Sequence, residues 1–199
     1  MAGFYTEADY ENSVIELFQS MGYRYVYAPD LERDFKSPLY EEELYEALHR
    51  LNPTMPEDAI ADALKNFENA ELVQKNALFM DYLQHGVEVR YFIKGEERSG
   101  LIYLVDYSNP GNNSFIVANQ WTFIENSNKR PDVLLFLNGM PVVLVELKSP
   151  SREETDASEA YSQIRNYMHE IPSMFIYNCI CVMSDLMTSK AGTITSGED

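Results

Sequence analysis

The sequence predicts an α/β domain with a mixed central sheet flanked by helices and a helical portion at the N-terminus. Three observations carry this. Apolar residues recur at helical spacing through the first 86 positions, the spacing then changes to alternation with period two, and one more helix and strand close the chain.

The first helix is announced by Thr6, an N-cap residue followed at the third position by Asp9, where a capping box usually has Glu or Gln. Val14, Ile15, Phe18 and Met21 then recur at helical spacing before Gly22. A second helix is expected from Ser37-Pro38 through Leu51. Pro38 would stand at its first position, Glu41, Glu42 and Glu43 near its positive end, and Leu44, Ala47, Leu48 and Leu51 on its buried face. Thr54 and Glu57 have capping-box spacing for a third helix that buries Ile60, Leu64 and Phe67, and a fourth, shorter helix closes at Gly86.

Strands are expected over 87–93, 101–107, 114–123, 133–137 and 142–147, separated by Gly95, Pro110-Gly111 and Asn138-Gly139. Glu153 to Ile171 reads as a helix, with Ala157, Ala160, Ile164, Tyr167 and Met168 at helical spacing and Pro172 as its stop. A last apolar strand runs from about Met174 to Met183. Within it Cys179 and Cys181, the chain's 2 cysteines, would share one face as small hydrophobes, and no disulfide framework is available.

With 199 residues, 45% of them hydrophobic, the chain can build one ordinary domain. No long apolar run marks a membrane span and the N-terminus lacks a signal-peptide pattern, so a soluble, cytoplasmic protein is expected. A Gly-x-x-x-x-Gly-Lys-Ser/Thr phosphate loop is absent, which excludes ATP hydrolysis through that motif. The formal net charge of −17 argues against a free-standing tight binder of nucleic acid. A metal-dependent enzyme whose substrate is held by partners remains compatible, because carboxylates that hold a cation repel phosphate until the cation arrives.

The chemistry concentrates between Pro131 and Pro150. Asp132, Glu146 and Lys148 interrupt two strongly apolar strands, where charges are costly unless paired or bound to metal. Glu146 and Lys148, two apart, point to the same side of a strand. Two acids and a lysine on one face suit phosphodiester hydrolysis: the carboxylates and the Leu147 carbonyl hold Mg²⁺, and Lys148 orients water or stabilises the growing charge. A Pro-Asp turn followed by a solvated Glu-x-Lys face would give the same short pattern, but the apolar run before Glu146 favours the site. Register supplies a geometric condition. A strict two-residue hairpin at Asn138-Gly139 would pair Asp132 with Val145, on the wrong face for Glu146, so a longer loop or a bulge is required.

At these residues the chain resembles the PD-(D/E)xK nuclease superfamily, which Asp132, Glu146 and Lys148 match in type and order. Over nearly its whole length it is similar to the N-terminal domain of type I restriction enzyme R subunits. That resemblance runs through Thr6 to Glu11, Met21-Gly22-Tyr23, Ala47 to Asn52, Val105 to Pro110, Asn113-Ser114-Phe115, Ala118-Asn119-Gln120, Ser184-Asp185 and Ala191-Gly192-Thr193. It implies a restriction-endonuclease-like fold and a Mg²⁺-dependent endonuclease domain cutting double-stranded DNA, in a complex with methylation and specificity subunits. A helicase-like motor that uses ATP would follow residue 199, making the chain a single nuclease domain excised from a longer subunit.

The resemblance also implies that Gln163 and Tyr167, four apart on one helix face, bind DNA phosphate or brace the catalytic strand, and that Glu11 joins the metal site, with Glu7 as its competitor. Asp106 matches a recurrent family position, with structural hydrogen bonding as its expected role. A nuclease with another task and a catalytically idle docking module are the competing readings.

Overall fold

The computed structural model describes residues 6–65, 72–148 and 157–197. Helix α1 (Glu7–Ser20) begins at a capping box: the Thr6 hydroxyl receives the Asp9 N–H, and the Asp9 side chain accepts from the Thr6 backbone. Ile15 is its buried residue, whereas Met21 lies at the C-cap and is 64% exposed, one position past the helical face. A strand that the apolar pattern does not reveal, β1 (Arg24–Tyr27), follows directly. Only Val26 of its four residues is buried, so it carries too little contrast to read.

Helices α2 (Glu41–Leu51), α3 (Glu57–Lys65) and α4 (Leu72–His85) come next. The start of α2 corrects the expectation at Pro38. Tyr40 is its N-cap and its N–H is spent on the Gly139 carbonyl, 2.8 Å away, so the helix starts where it abuts the turn at Gly139. The expected Thr54 box is not formed, since α3 begins at Glu57 and Thr54 belongs to the preceding turn. Leu44, Ala47, Leu48 and Ile60 are buried as expected; the Leu64 side chain and Phe67 lie outside the described residues. With 14 residues, α4 equals α1 in length, correcting the expectation of a shorter helix, and ends at Gly86 in the left-handed region.

Strands β2 (Val87–Ile93) and β3 (Glu96–Ile102) form a separate hairpin about Lys94-Gly95, both with positive φ. The polar stretch Glu96–Gly100 is thus strand, and the expected strand at 101–107 is displaced: register with β2 is set by the tight turn, and Asp106 instead organises a loop. Its carboxylate accepts the N–H groups of Ser108 and Asn109 and the Asn112 amide, which together hold it below the usual carboxylate range. The expected structural role fits these bonds. The hairpin packs with α2 to α4 in a cluster that includes Leu48, Ile60, Phe79, Val87 and Ile102.

The main sheet has six strands in the order β1, β4, β7, β8, β9, β10. After β4 (Phe115–Asn119) a small ribbon of β5 (Phe123–Ile124) and β6 (Asn128–Lys129) intervenes, then β7 (Val133–Leu137) and β8 (Met140–Leu147) form the central hairpin. Helix α5 (Ala157–Glu170) crosses to β9 (Ile180–Ser184), parallel to β8, and β10 (Ser189–Gly192) closes the edge. Positions 153–156 of the expected helix lie outside the described residues, as do the Ala157 and Ala160 side chains.

Pro172 ends α5 but also opens the short helix α6 (Pro172–Phe175), because proline suits a first helical turn. The last strand therefore starts at Ile180 instead of Met174. Cys179 stands before that strand and packs with the helical cluster, whereas Cys181 is buried under α5; the two do not share a face.

The sheet parts two cores. On one face α1 covers Val117, Val133, Leu135, Val145 and Leu147; on the other α5 and α6 cover Ile116, Leu134, Phe136, Leu144 and Met183. Burying Ile15 contributes about 1.5–3 kcal/mol toward holding α1 on its face. Among the described residues no helix is long and apolar enough to cross a membrane.

Candidate active site

The charged residues of the central hairpin are brought together by a bulge. Asn138 and Gly139, at φ 50° and 80°, make a two-residue turn that pairs Leu137 with Met140 and Phe136 with Pro141. The register then shifts: Leu135 faces Val143, Leu134 faces Leu144 and Val133 faces Val145. Val142 is the additional residue, beside Pro141, which has no N–H to give to the ladder. One step beyond the Val133–Val145 pair, Asp132 stands opposite Glu146, as a shared site requires.

Glu146 belongs to the face covered by α5, and Asp132 stands just before β7, within reach of charges from α1. Asp132 is half-buried and one of its oxygens accepts the Leu147 N–H at 2.7 Å, so its side chain continues the ladder where β7 has not yet begun. Glu146 is 0% exposed. Its Oε1 accepts from Lys148 Nζ at 2.9 Å, and its Oε2 is buried and has no hydrogen-bond partner in ordinary geometry among the described residues, with Asp132 and Tyr167 adjoining the carboxyl.

Burial pushes the Asp132 carboxyl up to about 6, against the pull of the Leu147 N–H and the Lys148 ammonium. Burial also pushes Glu146 up to about 7, and the Asp132 charge adds to that. For Lys148 burial acts downward, but the bond to Glu146 and the fields of Glu146 and Asp132 outweigh it, and the ammonium is held above its ordinary value. Among the described residues the site is short of positive charge: two desolvated carboxyl groups face one ammonium.

Gln163 and Tyr167 of α5 do meet, the Gln163 amide donating to the Tyr167 hydroxyl at 2.7 Å. Tyr167 is buried, and burial together with the Glu146 charge raises its phenol well above the ordinary value. From the opposite face α1 brings Glu7 and Glu11 near enough to raise the Asp132 carboxyl. Among the described residues no three acidic, histidine or cysteine side chains form a ready-made metal cage. Asp132 and Glu146 converge, and Glu11 is bonded instead to Asn119 at 2.5 Å.

Sequence reasoning gave no site role to four supporting residues. Asn119 links Glu11 to Tyr25, and the Tyr10 hydroxyl bonds Ser184 Oγ at 2.6 Å, tying α1 to the end of β9. An asparagine closing the apolar run Phe115–Asn119 was a readable signal; the tyrosine partners, remote in sequence, were not.

The model of the type I restriction enzyme R protein N terminus matches residues 4–199. The chain belongs to this family. Among curated relatives of the R-protein N terminus, it is 34% identical over 203 residues to the type I restriction enzyme HindI endonuclease subunit of Haemophilus influenzae, a match covering 96% of this chain and 19% of that protein. It is 30% identical over 202 residues to the putative MjaIXP endonuclease subunit of Methanocaldococcus jannaschii, covering 95% and 19%. It is 29% identical over 192 residues to the EcoprrI endonuclease subunit of Escherichia coli, covering 86% and 58%. The chain thus spans about a fifth of the first two relatives.

Proposed function

We propose that this R-protein N terminus is the Mg²⁺-dependent endonuclease domain of a type I restriction enzyme and hydrolyses phosphodiester bonds of double-stranded DNA. The observation that supports it best is Glu146: wholly buried, one oxygen without a partner among the described residues, beside Asp132 and Lys148. A buried carboxylate left in that state is costly, and a divalent cation is the partner that relieves both acids at once.

Asp132, Glu146 and the Leu147 carbonyl would hold the ion, with Glu11 at the border. When bound, Mg²⁺ supplies the Lewis acid that activates water and neutralises charge growing on the phosphate. The Leu147 N–H fixes the rotamer of Asp132 and so the direction of its second oxygen. Lys148, held against Glu146, presents its ammonium to the water or to the developing oxyanion. Gln163 and Tyr167 brace the β8 end from α5 or meet a DNA phosphate.

This set reads phosphate and metal, with no groove-reading element among its parts, so cleavage is expected to be largely independent of sequence. Recognition then falls to specificity and methylation subunits, ATP use to motor domains of the full subunit, and the enzyme to the cytoplasm. Calorimetric titration of Mn²⁺ into the wild-type chain and Asp132→Ala, with linear-DNA nicking assays on both and on Lys148→Ala, tests the reading. Metal binding lost with Asp132→Ala and cleavage lost with both variants support it. A wild-type chain that neither takes up metal nor nicks DNA refutes it and favours a docking module.

A further inference from the structure

The hydrogen bond between Asn119 and Glu11 joins the end of β4 to the acidic face of α1 beside the proposed metal site. Asn119 is 6% exposed and both ends of its amide are used: Oδ1 accepts from the Tyr25 hydroxyl at 2.9 Å, and Nδ2 donates to Glu11 Oε1 at 2.5 Å. A buried amide must keep its partners, so it selects one Glu11 conformation out of the many open to a surface glutamate. In the sheet Asn119 faces Val133, the residue after Asp132. The bond therefore pins Glu11 next to the strand end that carries Asp132. Tyr10 and Ser184 clamp the same helix on the β9 side at 2.6 Å, which prevents α1 from sliding along the sheet. Among the described residues Glu7 has no comparable anchor.

Building on the nuclease reading, we propose that Asn119 is a positioning residue: it holds the Glu11 carboxylate at the border of the Asp132–Glu146 site, where Glu11 accepts hydrogen bonds from the hydration shell of a bound divalent cation. Two features favour this outer position over direct ligation. No three acidic groups among the described residues form a cage, and one Glu11 oxygen is already committed to Asn119. Mg²⁺ characteristically takes one or two carboxylates and keeps several waters, which need oriented acceptors. Outer partners of this kind set metal affinity by about 10–100-fold.

A double-mutant cycle read by Mn²⁺ calorimetry tests this without relying on turnover. Asn119→Leu and Glu11→Gln are each expected to weaken Mn²⁺ binding by about tenfold or more, and the double variant no further, because both remove one interaction. Tyr25→Phe, which removes only the hydroxyl that orients the amide, supplies a milder second cycle with Glu11→Gln if Asn119→Leu fails to fold. Unchanged affinity in Asn119→Leu and Tyr25→Phe, or equal weakening with and without Glu11→Gln, overturns the assignment while leaving the nuclease reading intact. A wild-type chain that takes up no Mn²⁺ removes both.

Discussion

Replacing Glu146 by glutamine should make the metal-free domain more stable at pH 8, although it deletes half of a buried ion pair. The Glu146 carboxyl lies near 4.5 in the unfolded chain and is raised to about 7 by burial and by Asp132. A raised carboxyl pKa means that the folded state binds the proton more tightly. The stability it carries is fully present below about pH 4.5 and is lost as pH rises through 7. A shift of that size corresponds to about 3 kcal/mol between pH 4.5 and 8. For a domain of this length each kcal/mol moves Tm by about 2–4 °C, so wild type should lose about 6–12 °C relative to Glu146→Gln across that range. Lys148 keeps its proton throughout and can still donate to the glutamine oxygen.

The assay is thermal unfolding followed by circular dichroism in EDTA from pH 4.5 to 8, then repeated with Mg²⁺. The difference between the two proteins cancels the titration of the acids remote from the site in this strongly negative chain, leaving that of the Asp132–Glu146 pair. Mg²⁺ should restore wild type at pH 8 and leave Glu146→Gln almost unmoved. A wild-type profile parallel to that of the variant would refute the reasoning, since Glu146 would then be charged or neutral alike in both states.

Two further perturbations probe the frame that holds the site. Deleting Val142 removes the bulge but keeps Leu135 opposite Val143, so Asp132 stays opposite Glu146 and Mn²⁺ binding should survive with far-UV circular dichroism native; lost binding would show that the distortion at the bulge, and not register alone, places the acid. Gly139→Ala puts a Cβ 2.5 Å from the Leu44 nitrogen and 2.6 Å from the Tyr40 carbonyl at a φ of +80°. A loss of about 1–3 kcal/mol is expected in urea unfolding, with the midpoint lowered.

Much of the candidate site could be read before the fold was known, because it is written in residue types along short stretches of chain. Asp132, Glu146 and Lys148 stand out as charges inside apolar strands, and Gln163 and Tyr167 stand four apart on one helix. Strand parity even demanded an irregularity in the hairpin, and the structure supplies it as the bulge at Val142. Strands β1 and β10 escaped because an edge strand with one or no buried residue has almost no apolar alternation. The helix expected at Pro38 and the strand expected at 101–107 were displaced by contacts that local propensity does not contain: the Gly139 turn against Tyr40, and the tight Lys94-Gly95 turn that sets the register of β3.

The sequence by itself determined the α/β class, the charged residues Asp132, Glu146 and Lys148 that the structure brings together, and the family resemblance, since each is a matter of residue type and spacing along the chain. Only the tertiary structure decided that Glu146 is desolvated with an orphaned oxygen, that Asp132 is oriented by the Leu147 N–H, and that Glu11 is held by Asn119 across a sequence separation of 108. Burial and long-range hydrogen bonds are properties of how elements pack. They depend on groups from α1, β4, β7 and β8 meeting at one end of the sheet, and no local pattern records that meeting.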